Sequence, residues 1–225
     1  MSAENETARA GMTFSEELKG YLKVGETDFV AGHKAGEDNN HYAMFHLNIK
    51  LADVDDFVAD PRHESRDISG FIRCDELGIK NAAIEGGAFN LIVETPDPEV
   101  KNLFYRLYFS DLAGHPLTLS GYKVMQDDPG FDMWSDTTTL FTRIVQGHVS
   151  PELEADIRAK PEAHRDIIVA AGLLFIRLPD FLKELTTFRA QTEGGPDDKV
   201  KALAKFGRMF LGKLWDVYMT EGKLR

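Results

Sequence analysis

Between Leu103 and His148 the chain reads as three β segments joined by two tight corners, and this stretch limits the fold more than any other. Residues 103–109 are aromatic and aliphatic, Asp111-Leu112-Ala113-Gly114-His115-Pro116 is turn chemistry, and residues 117–125 return to apolar character. A second corner, Asp127-Asp128-Pro129-Gly130-Phe131-Asp132, leads to a third segment from Thr137 to Val145. Gly, Pro and Asp supply the backbone angles that turns need, and β-branched and aromatic residues fit a pleated surface. The stretch therefore predicts consecutive antiparallel strands. It names no reaction.

The same reasoning extends toward the N-terminus. Residues 1–11 are polar and are expected to be a disordered leader. Residues 12–24, with Phe14, Leu18 and Leu22, predict a strand with a break at Glu16-Glu17. Residues 25–40 carry three glycines and little apolar content, which predicts a loop or weak hairpin. In residues 42–51, Phe45, Leu47, Ile49 and Leu51 alternate with His46, Asn48 and Lys50, the mark of a half-buried strand. Asp53 caps one or two helical turns that stop at Pro61. Residues 67–74 and 79–94 predict further strands, the latter interrupted at Gly86-Gly87. Seven or eight strands before His148, with no βαβ alternation, predict a mainly β protein, an antiparallel β-sandwich or barrel, over residues 12–149.

Beyond His148 the composition shifts, and residues 150–225 are expected to form a C-terminal α-helical extension packed on the β domain. Ser150 and Pro151 open a short helix. Residues 167–176 read as either a buried strand or a helix, tipped to strand by their β-branched content. Residues 179–190 place Phe181, Leu182, Leu185 and Phe188 at helical spacing. Residues 192–198 read as a loop. In residues 199–219, Val200, Leu203, Phe206, Phe210, Leu214 and Val217 recur every three or four positions, the strongest helical pattern in the chain.

Charge narrows the partners. The 225 residues carry a formal net charge of −11, with 43% hydrophobic and 28% charged residues. An acidic chain is a poor partner for phosphate backbones, so no nucleic acid is expected. The single cysteine, Cys74, excludes an internal disulfide and suits a reducing compartment. No stretch predicts a transmembrane segment or a signal peptide, and a cytoplasmic location is expected.

The chemistry-bearing residues form no catalytic signature. Asp127, Asp128, Asp132 and Asp136 cluster on one corner and offer oxygen ligands to calcium, as in calcium-dependent surface-binding sandwiches, but turn-forming aspartates explain them as well and no metal is assigned. None of the seven histidines forms a zinc-hydrolase pair. His46 lies on the polar face of its strand, which in a barrel is either the lumen or the outside. Ser120 and Tyr122 share a strand face and Lys123 does not, so Ser-Lys and Tyr-Lys pairs along this strand are unsupported. Both phosphate-loop fingerprints are missing, and no cofactor is expected. His46, Tyr105, Asp111 and Tyr122 remain as acid/base candidates, provided two of them converge. The aromatics Tyr105, Tyr108, Tyr122, Trp134, Phe210 and Trp215 either build the core or line an apolar ligand site.

Three blocks carry a family resemblance. They are Thr13-Phe14-Ser15-Glu16-Glu17-Leu18-Lys19-Gly20-Tyr21, the central Pro116-Leu117-Thr118-Leu119-Ser120-Gly121-Tyr122-Lys123-Val124 with Asp127 to Leu140, and the tail segments 180–189 and 206–218. Together they resemble a bacterial β-rich module found beside or fused to cholesterol-oxidase-like flavoproteins of the glucose–methanol–choline class and to α/β-hydrolases. The flavin fingerprint of the oxidase is absent, so the resemblance implies a companion. It implies an accessory or binding module for an apolar small molecule, lipid or sterol-like, with a flavoprotein oxidase or hydrolase as partner. It carries over no catalytic residues. A small isomerase or hydrolase acting on an apolar substrate in the barrel is the alternative.

Overall fold

The computed structural model describes residues 9–95, 100–126, 139–176, 187–192 and 195–211, with backbone alone at 125, 126, 210 and 211. The protein is mainly β, as the turn and alternation pattern predicts. Its strands are β1 (Ala10–Val24), β2 (Tyr42–Leu51), β3 (Glu64–Ser65), β4 (Asp67–Cys74), β5 (Ile79–Ala83), β6 (Gly86–Glu94), β7 (Val100–Ser110), β8 (Pro116–Gln126), β9 (Thr139–Gln146), β10 (Ile168–Phe175) and β11 (Arg189–Thr192). The helices are α1 (Phe29–Asp38), α2 (Val54–Ala59), α3 (Pro151–Ala159) and α4 (Pro196–Leu211).

All the described strands belong to one antiparallel sheet, ordered β3-β6-β7-β8-β9-β10-β1-β2-β4-β5, with β11 added to β1. The sheet curls into a half-barrel rather than stacking as two layers. Its ends meet in the segment that runs from β5 into β6. The Ile84 N–H donates to the Gly70 carbonyl on β4 at 2.9 Å, and the next N–H, of Glu85, donates to the Tyr108 carbonyl on β7 at 2.8 Å. Successive N–H groups of a strand point to opposite sides, so one bent strand joins both ends of the curve. The Ser65 hydroxyl, on β3, adds a bond to the Lys50 carbonyl of β2 at 2.8 Å.

Alternation decides what lines the interior. On β1, Met12, Phe14, Glu16, Leu18 and Leu22 are buried while Thr13, Ser15, Glu17, Lys19 and Tyr21 are only half-buried. Phe45, Leu47, Ile49 and Leu51 of β2 and Leu103, Tyr105, Leu107 and Phe109 of β7 join them in one apolar cluster. The strand predicted to break at Glu16-Glu17 is continuous from Ala10 to Val24. Two adjacent glutamates do not interrupt a strand whose parity sends one inward and the other out.

Three other expectations are corrected. Residues 25–40 hold α1, capped by the Asp28 carboxylate, which accepts from the Ala31 N–H at 2.8 Å. Its glycines are contact points with the sheet. A Cβ on Gly32 would stand 2.2 Å from the Ala171 carbonyl oxygen, so only glycine lets the helix lie this close. The helical reading of residues 179–190 does not hold at its end, because Arg189 and Ala190 pair with Thr13 and Met12 as part of β11. The loop reading of residues 192–198 fails in part, since α4 already begins at Pro196. Residues 177–186, where the rest of that helical pattern falls, lie outside the described residues.

Residues 167–176 resolve to strand, and β10 sits between β9 and β1. The sheet therefore runs across the boundary drawn at 149/150 from composition. Ser150 and Pro151 do open α3, with the Leu153 N–H donating to the Ser150 hydroxyl at 3.2 Å. α1 and α3 lie on the outer face. α4 packs on β11, α2 and β1, with Phe206 fully buried and Val200 exposed at 62%. The Phe206 ring meets Phe14 at 5.4 Å, Phe188 at 5.6 Å and Phe57 at 6.2 Å, so α2 and α4 cover the barrel where β1 begins.

Candidate functional site in the barrel interior

Among the described residues, two charged side chains stand on the inner face among the apolar ones. Glu16 has the parity of Phe14 and Leu18, and Lys123 has that of Leu117, Leu119 and Gly121. They are 5% and 3% exposed. Tyr105 lies between them, fully buried. Its hydroxyl donates to Glu16 Oε2 at 2.7 Å, and Lys123 Nζ lies over its ring, 5.4 Å from the centroid. The ring itself is fixed by Phe89 at 5.2 Å and Phe45 at 5.7 Å. Placing a carboxylate, a phenol and an amine in an apolar interior costs several kcal/mol per ion before pairing is counted. The arrangement can hold a polar group of a ligand, or exchange a proton with one.

Among the described residues, β1 pairs with β11 over Ala10–Thr13 and with β10 over Lys19–Val24. On the same edge, the Ser15 N–H donates to the Thr187 hydroxyl at 3.0 Å.

The four acid/base candidates do not converge. Tyr105 faces the interior. His46 lies on the outer face, 3.7 Å from the Glu17 carboxylate and stacked on Phe71, so the polar face of β2 is the outside and not a lumen. Asp111 closes its own turn, accepting from the N–H groups of Ala113 and His115 and from the His115 ring, which hold its carboxyl below the usual range. Tyr122 is on the outer face, stacked on Phe141 at 5.2 Å, and burial pushes its phenol up.

Of the aromatics proposed as ligand contacts, Tyr105 alone is on the described inner face. Tyr108 points out, its hydroxyl donating to the Val149 carbonyl at 2.8 Å and its ring stacked on His148. Phe210 lies in α4, and Trp134 and Trp215 fall outside the described residues. So do Asp127, Asp128, Asp132 and Asp136, the calcium candidates. Among the described residues no group of three or more His, Cys, Asp or Glu is placed to hold a metal ion.

A second polar cluster serves structure. Under α3, the buried Glu154 carboxylate accepts from the Ser120 hydroxyl at 2.7 Å and from Arg106 Nη1 at 3.1 Å. Burial pushes its carboxyl up, and the two donors pull the other way. Nearby, Arg143 donates twice to the Thr27 carbonyl and lies 4.0 Å from the Phe29 ring centroid, tying the start of α1 to β9. Cys74 is a core residue whose thiol is pushed up to about 11, chiefly by burial.

Glu16 and Lys123 were missed from sequence, although parity alone marks both as inward. Comparison with protein-family models, curated proteins and solved structures finds no match to this chain.

Proposed function

We propose that the barrel interior binds an apolar small molecule of lipid or sterol-like character, and that the chain acts as an accessory or binding module. The observation that carries this reading is the set Glu16–Tyr105–Lys123, because a core selected for stability alone has apolar residues at such positions. The aromatic seal of Phe14, Phe57, Phe188 and Phe206 supports it, since α4 is an element whose displacement would open that end. The resemblance to the module beside cholesterol-oxidase-like flavoproteins suits a role in supplying or holding a substrate for an oxidase or hydrolase partner. The buried, unpaired thiol of Cys74 suits action in the cytoplasm. Among the described residues no helix is long and apolar enough to cross a membrane.

A second reading draws on the same geometry. A phenol bonded to a carboxylate is an acid/base couple, and in an apolar barrel it suits a small isomerase acting on a carbonyl substrate. The test of the first reading is native purification followed by solvent extraction and mass spectrometry, with a saturation titration by the neutral dye Nile red. Extraction of a stoichiometric apolar compound, or saturable dye binding that a lipid extract displaces, is expected. Absence of both would refute the reading.

A further inference from the structure

We propose that Lys123 is the anion-recognition point of this interior, and that the ligand is an amphipathic monocarboxylate, an apolar acid with its head group on the lysine. This rests on the reading that the interior binds an apolar molecule, and it specifies the class. Lys123 is 3% exposed on the inner face of β8, directly across the ladder from the buried Leu103 of β7. The contact described for its amine is the face of the Tyr105 ring. Among the described residues no carboxylate lies within 4.0 Å of it. Glu16, the carboxylate of the same interior, is engaged by the Tyr105 hydroxyl instead.

A ring face recovers a modest part of what a cation loses on leaving water; an anion recovers far more. The neighbours also select the kind of anion. One ammonium balances one negative charge, and the Glu16 carboxylate in the same interior disfavours a dianion. Phosphates are held by several donors, usually with an arginine fork, and among the described residues the two buried arginines, Arg106 and Arg143, are bound on the outer face instead. The Leu103, Phe45 and Phe89 side chains packed around Tyr105 make the surroundings of the amine apolar, which suits the alkyl or ring body of such an acid.

The experiment compares dodecanoate with dodecanol as displacers of Nile red from the full-length protein. Wild type is expected to bind the acid at least tenfold more tightly than the alcohol. In Lys123→Met the acid should lose that advantage while the alcohol binds as before, with Lys123→Gln as a second variant and thermal melting to establish folding. Equal affinity of wild type for acid and alcohol overturns the carboxylate proposal and leaves apolar binding standing. An acid preference that survives in a folded Lys123 variant also overturns it. Failure of both displacers and of the dye itself overturns apolar binding as well. Should neither variant fold, the wild-type ratio still tests the ligand class, and equal affinities overturn the proposal.

Discussion

Replacing Tyr105 by Phe removes one oxygen atom from the middle of the barrel and leaves the ring contacts with Phe45 and Phe89 in place. The lost group is the donor of a 2.7 Å bond to a carboxylate that is 5% exposed. Hydrogen bonds to charged groups contribute about 1.5–3 kcal/mol, and a buried acceptor left without its donor loses at the upper end of that range. For a chain of this size that corresponds to a fall in Tm of about 3 to 12 °C. Glu16→Gln keeps an acceptor oxygen for the hydroxyl and removes the buried charge, so its loss should be smaller than that of Tyr105→Phe. In the double variant the two effects should fall short of their sum, because both act on one bond. Urea unfolding of the four proteins gives the coupling. A Tyr105→Phe protein with an unchanged midpoint, or strictly additive losses, would mean that Glu16 faces water and that the polar interior described above does not exist.

Gly32→Ala should destabilise despite the better helix propensity of alanine. The new methyl would sit 2.2 Å from the Ala171 carbonyl oxygen, and overpacking of this kind costs about 1–3 kcal/mol against a propensity gain of about 1 kcal/mol. Gly36→Ala, at 2.7 Å from the Leu22 carbonyl oxygen, should lose less in the same denaturation assay. The Cys74 thiol, buried and raised to about 11, should resist iodoacetamide in native protein at pH 8 and react promptly in urea; fast native labelling would contradict the packing. Asp75, held down to about 2 by the two-bonded Arg73 fork and by Lys80, stabilises the fold fully above its ordinary value of 3.8. That contribution fades as pH falls from about 3.8 through about 2, so Asp75→Asn should flatten the acid limb of a stability–pH curve in that window.

Much of this protein is local in origin. A strand's side chains alternate with a period of two whatever it pairs with, so β2, β7, β8 and β9 were legible from their residues, and so were the Asp53 and Ser150 caps. The same rule marks Glu16 and Lys123 as inward. They were overlooked because a charge in a strand is ordinarily read as an outward residue or a break. Residues 25–40 misled for a different reason. Their low apolar content and three glycines argue against a helix in isolation, whereas in the folded protein two of those glycines are where the helix backbone touches the sheet.

Pairing is a different matter, because it depends on chain segments far apart whose contacts leave no periodic trace. Nothing within residues 167–176 says that they lie between β9 and β1, nor does anything in β5 and β6 say that one bent strand will join both ends of the curve. Tertiary structure alone brings Tyr105 to Glu16 across 89 residues and sets Lys123 over the same ring. The amino acids dictated which side chains face inward; the closing of the sheet chose which of them meet, because a hydrogen bond across a barrel depends on the register of every strand between its two ends.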